Sequence, residues 1–113
     1  MIERRKYVRI PEDSPISYQV LPNFRSGDYL TRDISQGGIR FFIHEFVSKD
    51  SLLRIRLTLK KISFYFEAVV QVMWIREVAP GEKYEIGVSF TDIPPEASKH
   101  LIKYIEDVLV LNK

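Results

Sequence analysis

The sequence predicts a mostly β fold: six short antiparallel strands curled into a small barrel, with one C-terminal α-helix. Three observations carry that prediction. Leu53, Ile55, Leu57 and Leu59 interleave with Arg54, Arg56, Thr58 and Lys60, a period of two that turns one face to a core and the other to water. Seven Phe and six Tyr against five Gly, in a chain rich in Val and Ile, favour pleated structure. After Pro94-Pro95 the period changes, and Ala97, Leu101, Tyr104, Ile105, Val108 and Leu109 recur at helical spacing. With so few strands, closure into a barrel removes the edges that an open sheet leaves exposed.

The elements follow in order. Residues 1–12 read as a basic extended arm, because Ile10 precedes Pro11 and is pushed out of helical geometry; residues 13–113 form the barrel and helix. Ile16, Tyr18 and Val20 alternate with Ser17 and Gln19 as the first strand, which breaks at Pro22-Asn23 and Arg25-Ser26-Gly27-Asp28. Strands at Tyr29–Arg32 and Ile39–Ile43 flank a turn at Asp33–Gly38. The strand containing Leu53–Lys60 comes next, then a turn near Lys60-Lys61. Phe64, Phe66, Ala68, Val70, Val72 and Trp74 share one face of a long central strand, which assigns Trp74 to the core. Pro80-Gly81 turns the chain into the last strand, Tyr84 to Phe90. Pro95 suits the first turn of a helix, where its missing N–H is no loss.

Composition narrows the classes of function. At 113 residues, with 45% apolar and 28% charged residues, the chain has the size and balance of one globular domain. It has no cysteine, which excludes a disulfide scaffold, a thiolate metal site and a Cys nucleophile. No apolar run approaches the roughly 18 residues of a membrane span, and no hydrophobic stretch follows the charged N-terminus as a secretory signal requires; a cytoplasmic location is the expectation. The net charge of +2 is too small for a surface built to bind long nucleic acid. Its distribution says more: Arg4, Arg5, Lys6 and Arg9 against Glu3 leave +3 on residues 1–10.

The arm and the Asp33–Gly38 turn have complementary chemistry. An acid, a hydroxyl and paired glycines predict a turn whose backbone approaches a neighbour closely and accepts positive φ. In an extended arm Arg5 and Arg9 stand roughly 13 Å apart at full stretch, a spacing that suits a compact dianion. Guanidinium forks bind phosphate oxygens and the O6/N7 edge of guanine. Asp33 supplies an acceptor for guanine N1–H and N2–H, and Ser35 with the amides of Gly37 and Gly38 completes the edge. The competing reading of the same turn is a plain tight hairpin, in which Asp33 and Ser35 bond to nearby amides and the glycines accept strained dihedrals.

Arg5-x-x-x-Arg9 followed by Asp33-x-Ser35-x-x-Gly38 resembles the paired signature of the PilZ domain family, bacterial receptors for cyclic di-GMP. Val72-Met73-Trp74, Ile86-Gly87-Val88-Ser89-Phe90 and the terminal amphipathic helix extend the resemblance from Arg4 to about Ile105. The family's fold, a six-stranded antiparallel barrel with a terminal helix, agrees with the pattern already read. The resemblance implies that Arg5 and Arg9 hold ligand phosphates and guanine edges, while Asp33, Ser35, Gly37 and Gly38 read a guanine. Arg4 stands where an arginine accompanies binding of two stacked ligands, a further expectation. No cofactor is implied beyond this ligand. Only four residues precede Arg5, so the output is expected to reach a separate effector protein, in motility, attachment or exopolysaccharide secretion. Ordering the arm costs about 1–2 kcal/mol per residue, and a bidentate guanine contact contributes about 1–3 kcal/mol; a micromolar to submicromolar sensor follows.

Other features are read as structural. His44 and His100 have no metal spacing and are given packing or surface roles. Arg54, Arg56 and Lys60 are a solvated basic face. No nucleophile, metal cluster or phosphate loop suggests an enzyme. Two competing readings remain: a PilZ-fold adaptor that binds protein and not nucleotide, and a small single-stranded nucleic-acid binder, which calls for a broader positive surface. The sequence is silent on oligomeric state.

Overall fold

A computed structural model describes residues 8–21 and 26–111. Arg4 and Arg5, and most of the break expected between Pro22 and Asp28, lie outside the described residues or their described side chains. Among the described residues there are seven strands: β1 (Arg9–Pro11), β2 (Pro15–Val20), β3 (Ser26–Ser35), β4 (Gly38–Ile43), β5 (Leu52–Leu59), β6 (Phe64–Ala79) and β7 (Lys83–Asp92), followed by α1 (Pro95–Leu111). All pairings are antiparallel, and β3–β4 pairing joins the ends of the order β3-β2-β5-β6-β7-β4. The result is the expected closed six-stranded barrel with its C-terminal helix. The additional strand, β1, lies in the arm and pairs with the far end of β3.

Alternation places the core. Every second residue of β5 (Leu53, Ile55, Leu57, Leu59) is buried, as are Phe66, Ala68, Val70 and Val72 of β6. The inward file of the first strand begins earlier than its sequence pattern suggests. Ile10, Glu12, Ser14, Ile16, Tyr18 and Val20 are all buried, so the barrel wall runs through residue 12 without interruption. β1 and β2 lie end to end beside β3, and their junction is closed by Glu12 N–H to the Arg32 carbonyl (3.0 Å) and Thr31 N–H to the Ser14 carbonyl (2.9 Å).

Two inward residues of that file are polar, and they are satisfied. The Ser14 hydroxyl donates to the Glu12 carboxylate, and the Ser14 amide donates to Thr31 Oγ1 at 2.9 Å. From α1, the Tyr104 hydroxyl reaches both Glu12 oxygens at 2.9 and 2.8 Å. Burial and this carboxylate push the Tyr104 phenol well above its ordinary pKa. The helix buries Ala97, Leu101, Tyr104, Ile105 and Val108 in the barrel's core cluster, the stripe its spacing predicts except that Leu109 is exposed. His44 stacks on Tyr29 and His100 on Phe64, packing roles as expected. Among the described residues no helix is long and apolar enough to cross a membrane.

Candidate functional site

The register of five strands builds a site on the outer face of the barrel. Ile10 pairs with Ile34, Ile34 with Ile39, Ile39 with Val88, and Val88 with Val72. All five are buried, so this row faces inward. The rows on either side of it must then face outward, since neighbouring residues of a strand point to opposite faces. One outward row holds Arg9 opposite Ser35, with Gly38 opposite Ser89. The other runs Asp33, Arg40, Gly87, Trp74. Together they enclose a cavity of about 350 Å³ lined by Arg9, Asp33, Ser35, Gly38, Arg40 and Trp74 among others.

The structure therefore brings Arg9, Asp33, Ser35, Gly37 and Gly38 to one cavity. Two details differ from the sequence expectation. Asp33 and Ser35 are not in a turn: they are buried residues of β3, held between β1 and β4, and the turn proper is only Gln36-Gly37. The glycines also do not supply positive φ, which among the described glycines occurs only at Gly81. Gly38 is required for close approach instead. A Cβ there would lie 2.0 Å from the Val88 carbonyl oxygen, so any larger residue would separate β4 from β7.

Ser35 organises the turn. Its Oγ accepts from the amides of Gly37 (3.2 Å) and Gly38 (3.1 Å) and donates to the Gly38 carbonyl at 3.3 Å. Asp33 is held differently: its Oδ2 accepts from the Arg40 guanidinium. Arg40 sits 3.7 Å through Nε from Glu85, which also ion-pairs with Arg76 (2.5 Å) and Arg32 (3.5 Å). The cavity wall thus carries guanidinium groups and a fixed carboxylate within one small volume, the combination that binds phosphate and the hydrogen-bonding edge of a purine.

Trp74, assigned to the core by alternation, is half-buried on the outside. A β-bulge explains the reversal. Val72 pairs with Val88 but Trp74 pairs with Gly87, so two residues of β6 oppose one of β7 and the indole changes face. It then lies over Gly87, where a Cβ would come within 2.3 Å of the ring. Sequence reasoning also missed Arg40, although a signal existed: residues 33 and 40 are equidistant from the turn's centre at Gln36-Gly37, so hairpin counting puts Arg40 opposite Asp33. Glu85 follows from the same register, one outward row further along.

Comparison with known proteins agrees with this architecture. The family model described as PilZ domain matches residues 3–107. The chain belongs to the PilZ domain family. Among solved structures, the Bacillus subtilis inhibitor of motility (MotI/DgrA) superposes with a TM-score of 0.82 at 22% identity, covering 99% of this chain and 54% of that one. MrkH of K. pneumonia in its c-di-GMP complex gives 0.79 at 18% identity, over 99% and 55%. YcgR from Escherichia coli in complex with c-di-GMP gives 0.78 at 18%, over 98% and 48%. The chain spans about half the length of these solved relatives. No curated protein matches the chain significantly.

Proposed function

We propose that the protein is a cyclic di-GMP receptor, without enzymatic activity, that signals to a separate effector protein in the cytoplasm. The observation that carries the reading is the convergence of Arg9, Asp33 and Gly38 with Trp74 on one outward cavity. Arg9 supplies a guanidinium for a phosphate or a guanine O6/N7 edge. Asp33 accepts from guanine N1–H and the 2-amino group, and the indole of Trp74 offers a face for stacking. Ser35 and Gly37 hold the turn in shape, and Gly38 lets β4 and β7 close beneath it.

In this reading the arm, residues 1–12, carries the response. Arg5 joins Arg9 on the ligand, and Arg4 recruits a second, stacked nucleotide. The residues before Arg9 change conformation on binding, and the effector senses that change. That two solved relatives are complexes with c-di-GMP supports the choice of ligand.

Isothermal calorimetry with cyclic di-GMP on the unaltered chain, Arg9→Ala and Asp33→Ala tests it. Micromolar or tighter binding to the unaltered chain is expected, weakened about tenfold or more by either substitution. A stoichiometry of two that falls to one in Arg4→Ala supports the stacked pair. Absence of heat at tens of micromolar ligand refutes the receptor reading and leaves a protein-binding adaptor. Tight oligonucleotide binding with a steep salt dependence would identify a nucleic-acid binder instead.

A further inference from the structure

Beside the cavity, charged side chains form a chain in which the motif residue Asp33 is only the last member. Glu85 is 1% exposed, and a carboxylate so far from water requires compensating positive charge. Three guanidinium groups supply it, those of Arg76, Arg32 and Arg40. The side chains of Arg76 and Arg32 are 61% and 50% exposed, whereas that of Arg40 is 27% exposed. Arg40 is the one that also reaches Asp33.

Arg40 therefore contacts two carboxylates. Its NH2 group donates to Asp33 Oδ2, and its Nε faces Glu85 Oε2 at 3.7 Å. Neither of the latter two atoms makes a hydrogen bond, so that second contact is Coulombic. A guanidinium is planar and presents its donors in a fixed fork. With Nε near Glu85 and the neighbouring Nη2 on Asp33, one rigid group ties the two carboxylates together, and Asp33 Oδ2 is bonded to a donor that is itself anchored.

We propose that Arg40, steadied by Glu85, is a positioning residue that determines base specificity. It fixes Asp33 so that the carboxylate accepts from two adjacent N–H donors, the pattern that guanine presents at N1 and its 2-amino group. Hypoxanthine presents only the first of these. The inference rests on the cyclic di-GMP reading above and adds the residue that makes the cavity selective.

The test compares affinity for cyclic di-GMP with affinity for its hypoxanthine analogue, cyclic di-IMP. It uses the unaltered chain, Arg40→Ala, Arg40→Lys, Asp33→Asn and the Arg40→Ala/Asp33→Asn double variant, each checked for folding by circular dichroism. The unaltered chain is expected to prefer the guanine ligand by about tenfold or more, and Arg40→Ala to lose most of that preference. Arg40→Lys, which restores charge without the fork, is expected to recover it only in part. In the Asp33→Asn background, removal of Arg40 is expected to change the preference little, because the two residues act as one unit.

Arg40→Ala that folds, binds and keeps the original preference overturns the inference and leaves the receptor reading standing. Should Arg40→Ala fail to fold, full preference in Arg40→Lys overturns it equally. An unaltered chain that binds neither nucleotide overturns both.

Discussion

A single methyl group added at Gly87 tests the outer wall of the cavity. In Gly87→Ala the new Cβ would stand 2.3 Å from Cε2 and Nε1 of Trp74 and 2.7 Å from Cζ2. Carbon atoms rest at about 3.5–4.0 Å, so the indole must retreat by more than about 1 Å. The backbone at Gly87 is paired on both sides, with Arg40 and with Trp74, and its φ is not positive. An alanine backbone is therefore tolerated, and the ring is what moves. Overpacking costs about 1–3 kcal/mol; the half-exposed ring puts this case at the lower end. In the proposed receptor reading the indole stacks on a base, which contributes about 1–3 kcal/mol, so its displacement is expected to lower cyclic di-GMP affinity on the order of tenfold. Trp74 is the chain's single tryptophan, and its fluorescence reports the site directly. The expected result is a red-shifted emission maximum, unchanged far-ultraviolet circular dichroism, and a titration curve moved to higher ligand concentration. An emission spectrum identical to that of the unaltered chain, with affinity kept within about twofold, would refute the placement of the indole over Gly87.

Gly38→Ala is expected to be worse for the fold, because its Cβ would meet backbone: the Val88 carbonyl oxygen at 2.0 Å and Ser89 Cα at 3.2 Å. A loss of about 2–3 kcal/mol in urea unfolding is expected, with binding lost as β4 and β7 part. Tyr104→Phe removes the hydroxyl that donates to both oxygens of buried Glu12, and a loss of about 1–3 kcal/mol in the same assay is expected. Alkaline pH should also destabilise the protein. The phenols of Tyr18 and Tyr104 are both held above the ordinary tyrosine pKa, by burial first and then by hydrogen bonds to Glu45 and Glu12. The folded state thus binds these protons more tightly than the unfolded chain does. That contribution is complete below the ordinary phenol pKa and is lost as pH rises above it. Thermal melts across that range should show a falling midpoint, with a shallower fall in Tyr104→Phe.

The strands and helix were legible because their signals are local. Leu53 to Leu59 alternate without exception, and the stripe from Ala97 to Val108 keeps one helical face; both elements formed as their periods require. The site was legible in part. Arg9, Asp33 and Gly38 announce themselves by type and spacing, and strand register brought them together. What escaped depends on register over distance. Trp74 follows Val70 and Val72 in perfect alternation, and nothing in Val72-Met73-Trp74 marks the bulge that reverses it. Glu85 reads as one more charge in a strand, and its burial follows only once Arg32, Arg40 and Arg76 are placed around it. The run Asp33–Ser35 misled in the opposite direction. Polar residues suggested a turn, yet β1 and β4 pair with both edges of that segment and make it a strand.

The Glu12 carboxylate joins parts of the chain that are far apart in sequence. One residue past Pro11 it accepts from a phenol that lies 92 positions downstream in the chain, so the first strand's file and the closing helix meet at one acidic group. Two positions before Glu12, Ile10 is buried and paired with Ile34. Arg9 of the cavity thus stands three positions from a side chain that bonds directly to the closing helix.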